Sequence, residues 1–101
     1  MFVMINRMTV PEEHRERFEE MFRNRARAVD RRPGFISAEV LRPTRGNEYL
    51  VMTHWETKEA FDGWTKSEEY REGHLHVDEF RDEHGKMQLT SKVEQYEVFA
   101  T

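Results

Sequence analysis

From Phe2 to Thr9, apolar side chains occupy both alternating faces of the chain. Phe2, Met4 and Met8 lie with Asn6 on one side, and Val3 and Ile5 lie on the other. That period of two predicts a strand covered on both faces. The period then changes. Pro11 suits a first helical turn, and Glu12 and Glu13 complement the positive end of a helix dipole. Phe18, Met21, Phe22, Ala26 and Val29 recur at three- and four-residue steps. One amphipathic helix running to Asp30 is predicted, with Arg31 and Arg32 at its negative end and Pro33-Gly34 as its stop.

Alternation returns over Phe35–Arg42, with Ile36, Ala38 and Val40 on one face. Pro43 to Asn47 supplies turn residues, and Glu48–Trp55 is the return strand. Tyr49, Val51 and Trp55 oppose Leu50 and Met52 on it. Thr57 opens a short helix carrying Phe61 and Trp64, and Ser67 caps a further turn and a half carrying Tyr70 and His74. Residues 77–90 are polar and charged and predict a loop. Ser91 to Ala100 is the last strand, with Val93 and Phe99 facing one way and Tyr96 and Val98 the other. The order strand, helix, strand, strand, helix, strand is ferredoxin-like: an α+β fold, antiparallel, with helices on one face. Helices cover only one side of such a sheet, yet its strands are apolar on both. The uncovered face therefore predicts a homodimer, with a closed or nearly closed β-barrel between subunits, a dimeric α+β barrel.

A length of 101 residues implies one domain, 1–101, with a thin core that burying ~60–65% of the unfolded surface provides. Dimerisation or a bound cofactor would help such a fold. The absence of cysteine excludes disulfides, thiolate metal sites and a cysteine nucleophile together. The opening stretch has no basic segment followed by a long apolar one, and no apolar run approaches the ~20 residues of a membrane span. A cytoplasmic protein without a membrane role is the expectation. Lys and Arg number 16 against 20 Asp and Glu, a net charge of −4, which argues against nucleic acid as a partner. The arginine run at positions 23, 25, 27, 31 and 32 reads as a solvated helix face offset by earlier glutamates.

Five histidines are candidates for chemistry. His14 and His84 lie in charged, exposed surroundings, and His54 alternates into a strand. His74 and His76 end the helix that carries Tyr70. Two residues apart on a helix they point ~200° from each other, so at most one enters a given pocket. His74 shares a face with Tyr70 and is the inward candidate, with His76 the alternative should the helix unwind. No spacing suits a multi-ligand protein metal site, but a single axial imidazole needs none, because a porphyrin supplies four nitrogens. Asn6 interrupts an apolar strand face. A buried amide is either hydrogen-bonded or costs ~1–3 kcal/mol, so Asn6 is a satisfied neighbour or a donor aimed into a pocket. Trp64, Phe22 and Phe18 read first as core, and flat side chains of this kind also suit a flat cofactor. Arg25, three residues after Phe22, could reach a carboxylate at a pocket mouth.

The segments Asn6-Arg7-Met8-Thr9-Val10-Pro11, Pro33-Gly34-Phe35, Val51-Met52-Thr53-His54-Trp55-Glu56 and Glu59-Ala60-Phe61-Asp62-Gly63-Trp64, followed by His74, resemble the antibiotic biosynthesis monooxygenase superfamily. Within it they most resemble the haem-degrading, IsdG-like branch, whose triad of Asn, Trp and His has counterparts in Asn6, Trp64 and His74. The resemblance implies a haem-degrading monooxygenase with haem as both substrate and cofactor. His74 would bind haem iron as axial ligand, Asn6 would donate toward oxygen bound on the opposite side, and Trp64 would ruffle the macrocycle. Phe22 would line the haem site and Arg25 would meet a propionate. No flavin or nicotinamide fingerprint is present, so electrons would come from an external reductase or small-molecule reductant. The superfamily also contains cofactor-independent oxygenases of quinol-like or phenolic metabolites, and a non-catalytic dimeric binding module of the same fold is a third reading.

Overall fold

The computed structural model describes residues 1–24, 28–75 and 80–101, without the side chains of His74 and Leu75. Four strands and three α-helices follow in the order β1 (Phe2–Thr9), α1 (Arg15–Arg23), β2 (Phe35–Leu41), β3 (Glu48–Trp55), α2 (Lys58–Thr65), α3 (Glu68–Leu75) and β4 (Thr90–Glu97). The sheet order is β2-β3-β1-β4, and every neighbouring pair is antiparallel. β3 thus lies between β1 and β2, and β1 between β3 and β4, the split arrangement of the ferredoxin-like α+β fold.

The register sets which side chains meet the helices. Phe2 pairs with Trp55, Met4 with Thr53, Asn6 with Val51 and Met8 with Tyr49. This face builds two apolar clusters rather than one. The first holds Met8, Val10, Phe18, Tyr49, Phe80 and Leu89, with Met21, Phe22 and Val51 against it. The second holds Phe2, Val29, Trp55 and Phe61, with Met4, Phe35, Ala60 and Trp64 against it. Asn6 stands on β1 between Met4 and Met8, at the divide between the two.

Four local expectations are corrected. The single helix from Pro11 to Asp30 is instead a 3-10 turn at Glu12–His14, then α1, then a second 3-10 turn at Ala28–Arg31. Phe18 enters the first cluster and Val29 the second, and tighter winding over residues 28–31 separates them where one continuous stripe would not. Ala26 lies outside the described residues. A bulge between Phe35 and Ser37 takes Ile36 out of the alternation and leaves it 43% exposed, while Ala38 and Val40 pair with Thr53 and Val51. The polar stretch before β4 is more than a loop, because it contains two buried anchors, Phe80 and Leu89. Between them Asp82 Oδ1 accepts from the His84 and Lys86 backbone N–H groups at 2.9 and 2.8 Å, and Arg81 bridges Met87. Finally, β4 ends at Glu97, so Val98 and Phe99 follow the strand rather than belong to it.

On the other side of the sheet, Val3, Ile5, Leu50, Met52 and His54 face away from both clusters, with Tyr96 47% and Leu41 40% exposed. The ion pair of Arg7 and Glu94 crosses this face, and the Tyr96 hydroxyl donates to Glu94 at 2.8 Å. Among the described residues no helix is long and apolar enough to cross a membrane.

Candidate functional site

The divide between the clusters has a polar floor. Asn6 Oδ1 is buried and has no hydrogen-bond partner among the described residues. An amide oxygen left so costs about 1–3 kcal/mol, so the position is not explained by packing alone. The strand partners of Asn6 are Val51 on β3 and Val93 on β4. Directly paired residues project to the same face with Cβ atoms about 4.5–5.5 Å apart. Val93 therefore lies on the helix-facing side next to Asn6, yet it is 57% exposed. The sheet is therefore uncovered at Val93, while the Asn6 oxygen beside it is buried.

The two clusters supply the sides. From α1, Phe22 packs against the first cluster, its ring 5.0 Å from that of Phe18. From α2, Trp64 packs against the second and meets Tyr70 of α3 edge-on, at 5.7 Å and 86°. Ser67 joins the two helices: its hydroxyl donates to the Trp64 carbonyl at 2.7 Å and accepts from the Tyr70 N–H at 3.2 Å. The cap expected of Ser67 is therefore present, and Thr57, expected only to open α2, caps it as well, its Oγ1 accepting from the Ala60 N–H at 3.1 Å. His74 stands in the last turn of α3, one turn beyond Tyr70. Its side chain lies outside the described residues, as do Arg25 and His76.

The remaining histidines lie elsewhere. His14 is edge-on to Phe80 at 5.8 Å, His54 is on the opposite face 3.9 Å from Glu39, and His84 is exposed in the turn before β4. Among the described residues no group of three His, Asp or Glu is placed to hold a metal ion. A shallow depression of about 570 Å³ lies at the end of the sheet between Met1, Lys58 and Tyr96, away from Asn6, and none of the candidate residues lines it.

Behind Phe22, a polar network fixes α1. Arg42 and the Tyr49 hydroxyl both donate to the Glu19 carboxylate, as does Arg23 at 3.2 Å, and Arg15 Nε donates to the Tyr49 oxygen at 3.1 Å. Hydrogen bonds from Arg42 and then Tyr49 hold the Glu19 carboxyl at about 2, well below its ordinary 4.5. Sequence reading missed Glu19 and Val93 alike. Val93 is distant from Asn6 in the chain, and only the β1–β4 register joins them.

Residues 1–76 match the family model of the antibiotic biosynthesis monooxygenases. A heme oxygenase (mycobilin-producing) of Mycobacterium tuberculosis is 46% identical over 63 residues, which is 61% of this chain; the chain matches 60% of that relative's length. A heme oxygenase (staphylobilin-producing) of Staphylococcus haemolyticus is 32% identical, with 100% of this chain and 98% of the relative covered. The solved structure of the heme-degrader MhuD from Mycobacterium tuberculosis, with two hemes bound in its active site, is similar at a TM-score of 0.74 and 31% identity. That likeness covers 100% of this chain and 98% of MhuD.

Proposed function

The chain belongs to the antibiotic biosynthesis monooxygenase family, and from that premise we propose that it is a haem-degrading monooxygenase, consuming haem, O2 and external electrons to give iron and an opened tetrapyrrole. The observation that carries this reading is the buried amide oxygen of Asn6, without a partner among the described residues, between the clusters on which Phe22 and Trp64 pack and beside the exposed Val93. The heme oxygenases among its relatives make a porphyrin the natural occupant.

Haem is the substrate here, and when bound it supplies both the iron and the ring that is cut. The polypeptide has to bind it, orient it and keep water away. His74, in the last turn of α3, would be the residue to ligate the haem iron through a neutral imidazole. Asn6 presents an amide from a rigid central strand, a better platform than a loop for a group that must hold its direction. Trp64 on α2 would press on the macrocycle, Phe22 on α1 would offer a flat contact, and Arg25 would pair with a propionate. Electrons come from a reductase or small-molecule reductant outside the chain. A second copy of the chain covers the sheet face bearing Val3, Ile5, Leu50, Met52 and Tyr96, giving the homodimer. The protein works in the cytoplasm on this reading.

Titration with haemin followed by ascorbate tests it. A Soret band is expected to form, then bleach as iron becomes available to a ferrous chelator. His74→Ala is expected to lose the sharp band. Wild-type protein that forms no Soret band would overturn the proposal.

A further inference from the structure

Two glycines mark where the turn leading into β2 meets α2. At Gly34 φ is +80°, and a Cβ there would lie 2.6 Å from Ala60 Cβ. At Gly63 a Cβ would lie 3.3 Å from Arg32 Nη2. Ala60 and Gly63 are three residues apart and share one face of α2, so that face receives the 32–34 turn at two points. The residue after Gly63 is Trp64. The second contact carries two local costs. Glycine inside a helix forfeits more backbone entropy than alanine, and Arg32 Nε is buried with no hydrogen-bond partner among the described residues. Local rules broken twice at one contact point to a geometry that matters.

We propose that Arg32 is a positioning residue for Trp64. Its guanidinium lies against α2 in the gap that Gly63 leaves, and so sets how closely α2 approaches the turn. Arg32 is also tied back to that turn, its N–H donating to the Val29 carbonyl at 3.0 Å. Val29 belongs to the cluster on which Trp64 packs. One short segment thus holds both the helix that carries the indole and the surface beneath it. The importance of this seat for haem rests on the reading of Trp64 given above, but the seat itself is measurable without haem.

The test is the indole N–H resonance of Trp64 in the ligand-free full chain, labelled with nitrogen-15 and assigned with Trp64→Phe. Trp55, whose indole donates to Thr53 Oγ1 at 3.0 Å inside the core, serves as internal reference. Gly63→Ala is expected to shift the Trp64 resonance and leave that of Trp55 in place. Arg32→Ala is expected to shift it too, and adding Gly63→Ala to Arg32→Ala should move it no further, because the gap is then empty. An unmoved resonance in Gly63→Ala, or an equal shift whether or not Arg32 is present, overturns the proposal. Should Gly63→Ala fail to fold, Arg32→Ala and Arg32→Gln decide, and an unmoved indole in both overturns it. With haemin added, a shifted indole without any Soret band upholds the positioning and removes the haem reading. An unmoved indole beside normal haem uptake does the reverse.

Discussion

Tyr49 and Asn6 are neighbours of a kind. Both are polar, both project to the helix-facing side of the two central strands, and their register partners, Met8 and Val51, lie two residues along those same strands. Their surroundings differ completely. The Tyr49 hydroxyl, in a residue only 1% exposed, donates to Glu19 and accepts from Arg15, because α1 lies across it and brings both groups within reach. The Asn6 oxygen is also buried but has no hydrogen-bond partner among the described residues, and it sits where the two clusters part. The fold can satisfy a buried polar group on this face and does so under α1. The next one has no such partner among the described residues, and on the proposed function that is where the ligand comes to rest.

The contrast can be broken from either side. The largest effect is expected in the filled half: Phe18→Ala removes a fully buried ring from the first cluster and should cost about 3–5 kcal/mol in urea unfolding. Between the clusters, Asn6→Ala should leave the urea midpoint unchanged or slightly higher, since it deletes a buried oxygen without a partner among the described residues, and should keep the Soret band. Ascorbate-driven bleaching should fall about 10²–10³-fold, the usual loss when a single positioned donor is removed. A variant that lost stability instead of turnover would make Asn6 an ordinary core amide. Tyr49→Phe should behave oppositely, costing about 1–2 kcal/mol by stripping Glu19 of a donor and Arg15 of an acceptor, with turnover little altered.

The smallest effect is expected from acid. The Glu19 carboxyl is lowered to about 2 from 4.5, chiefly by Arg42 and then Tyr49. A carboxylate with a depressed pKa stabilises the fold fully above its unfolded value and loses that contribution as pH falls. Part of the stability should therefore drain away between about pH 4.5 and about pH 2, and Tyr49→Phe should narrow that window from its acid end. Melting curves across that range check both points. No change in acid sensitivity in Tyr49→Phe would mean that the hydroxyl does not share in holding Glu19.

How much of this was readable from the chain follows from the range of each interaction. Alternation in Phe2–Thr9 and Glu48–Trp55 is local, and it put Asn6 on one face with Phe2, Met4 and Met8; that this face meets the helices comes from the fold. Thr57 and Ser67 announced their helices because caps act within three residues. The arginine-rich stretch after α1 misled, since an apolar residue every three or four positions suits one helix or two turns feeding separate clusters. Phe80 was hidden by the charges around it, although one buried aromatic in a polar stretch is enough to anchor it. The bulge at Ile36 and the exposure of Val93 depend on pairing with distant strands, which no local pattern encodes. The partnerless state of Asn6 belongs to the same class. Which residues share its face was legible, while its want of a partner among the described residues emerges only once the helices are in place.

The central claim is that the ligand sits against the Asn6 side chain on β1, whose buried oxygen has no partner among the described residues. The direct measurement follows the side-chain NH2 resonances of Asn6, Asn24 and Asn47 while nitrogen-15-labelled protein is titrated with a gallium protoporphyrin, which cannot turn over. The account predicts that the Asn6 pair shifts as the porphyrin binds, saturating with its Soret absorbance, while those of Asn24 and Asn47 stay in place. Saturated porphyrin binding with the Asn6 resonances unmoved would contradict it.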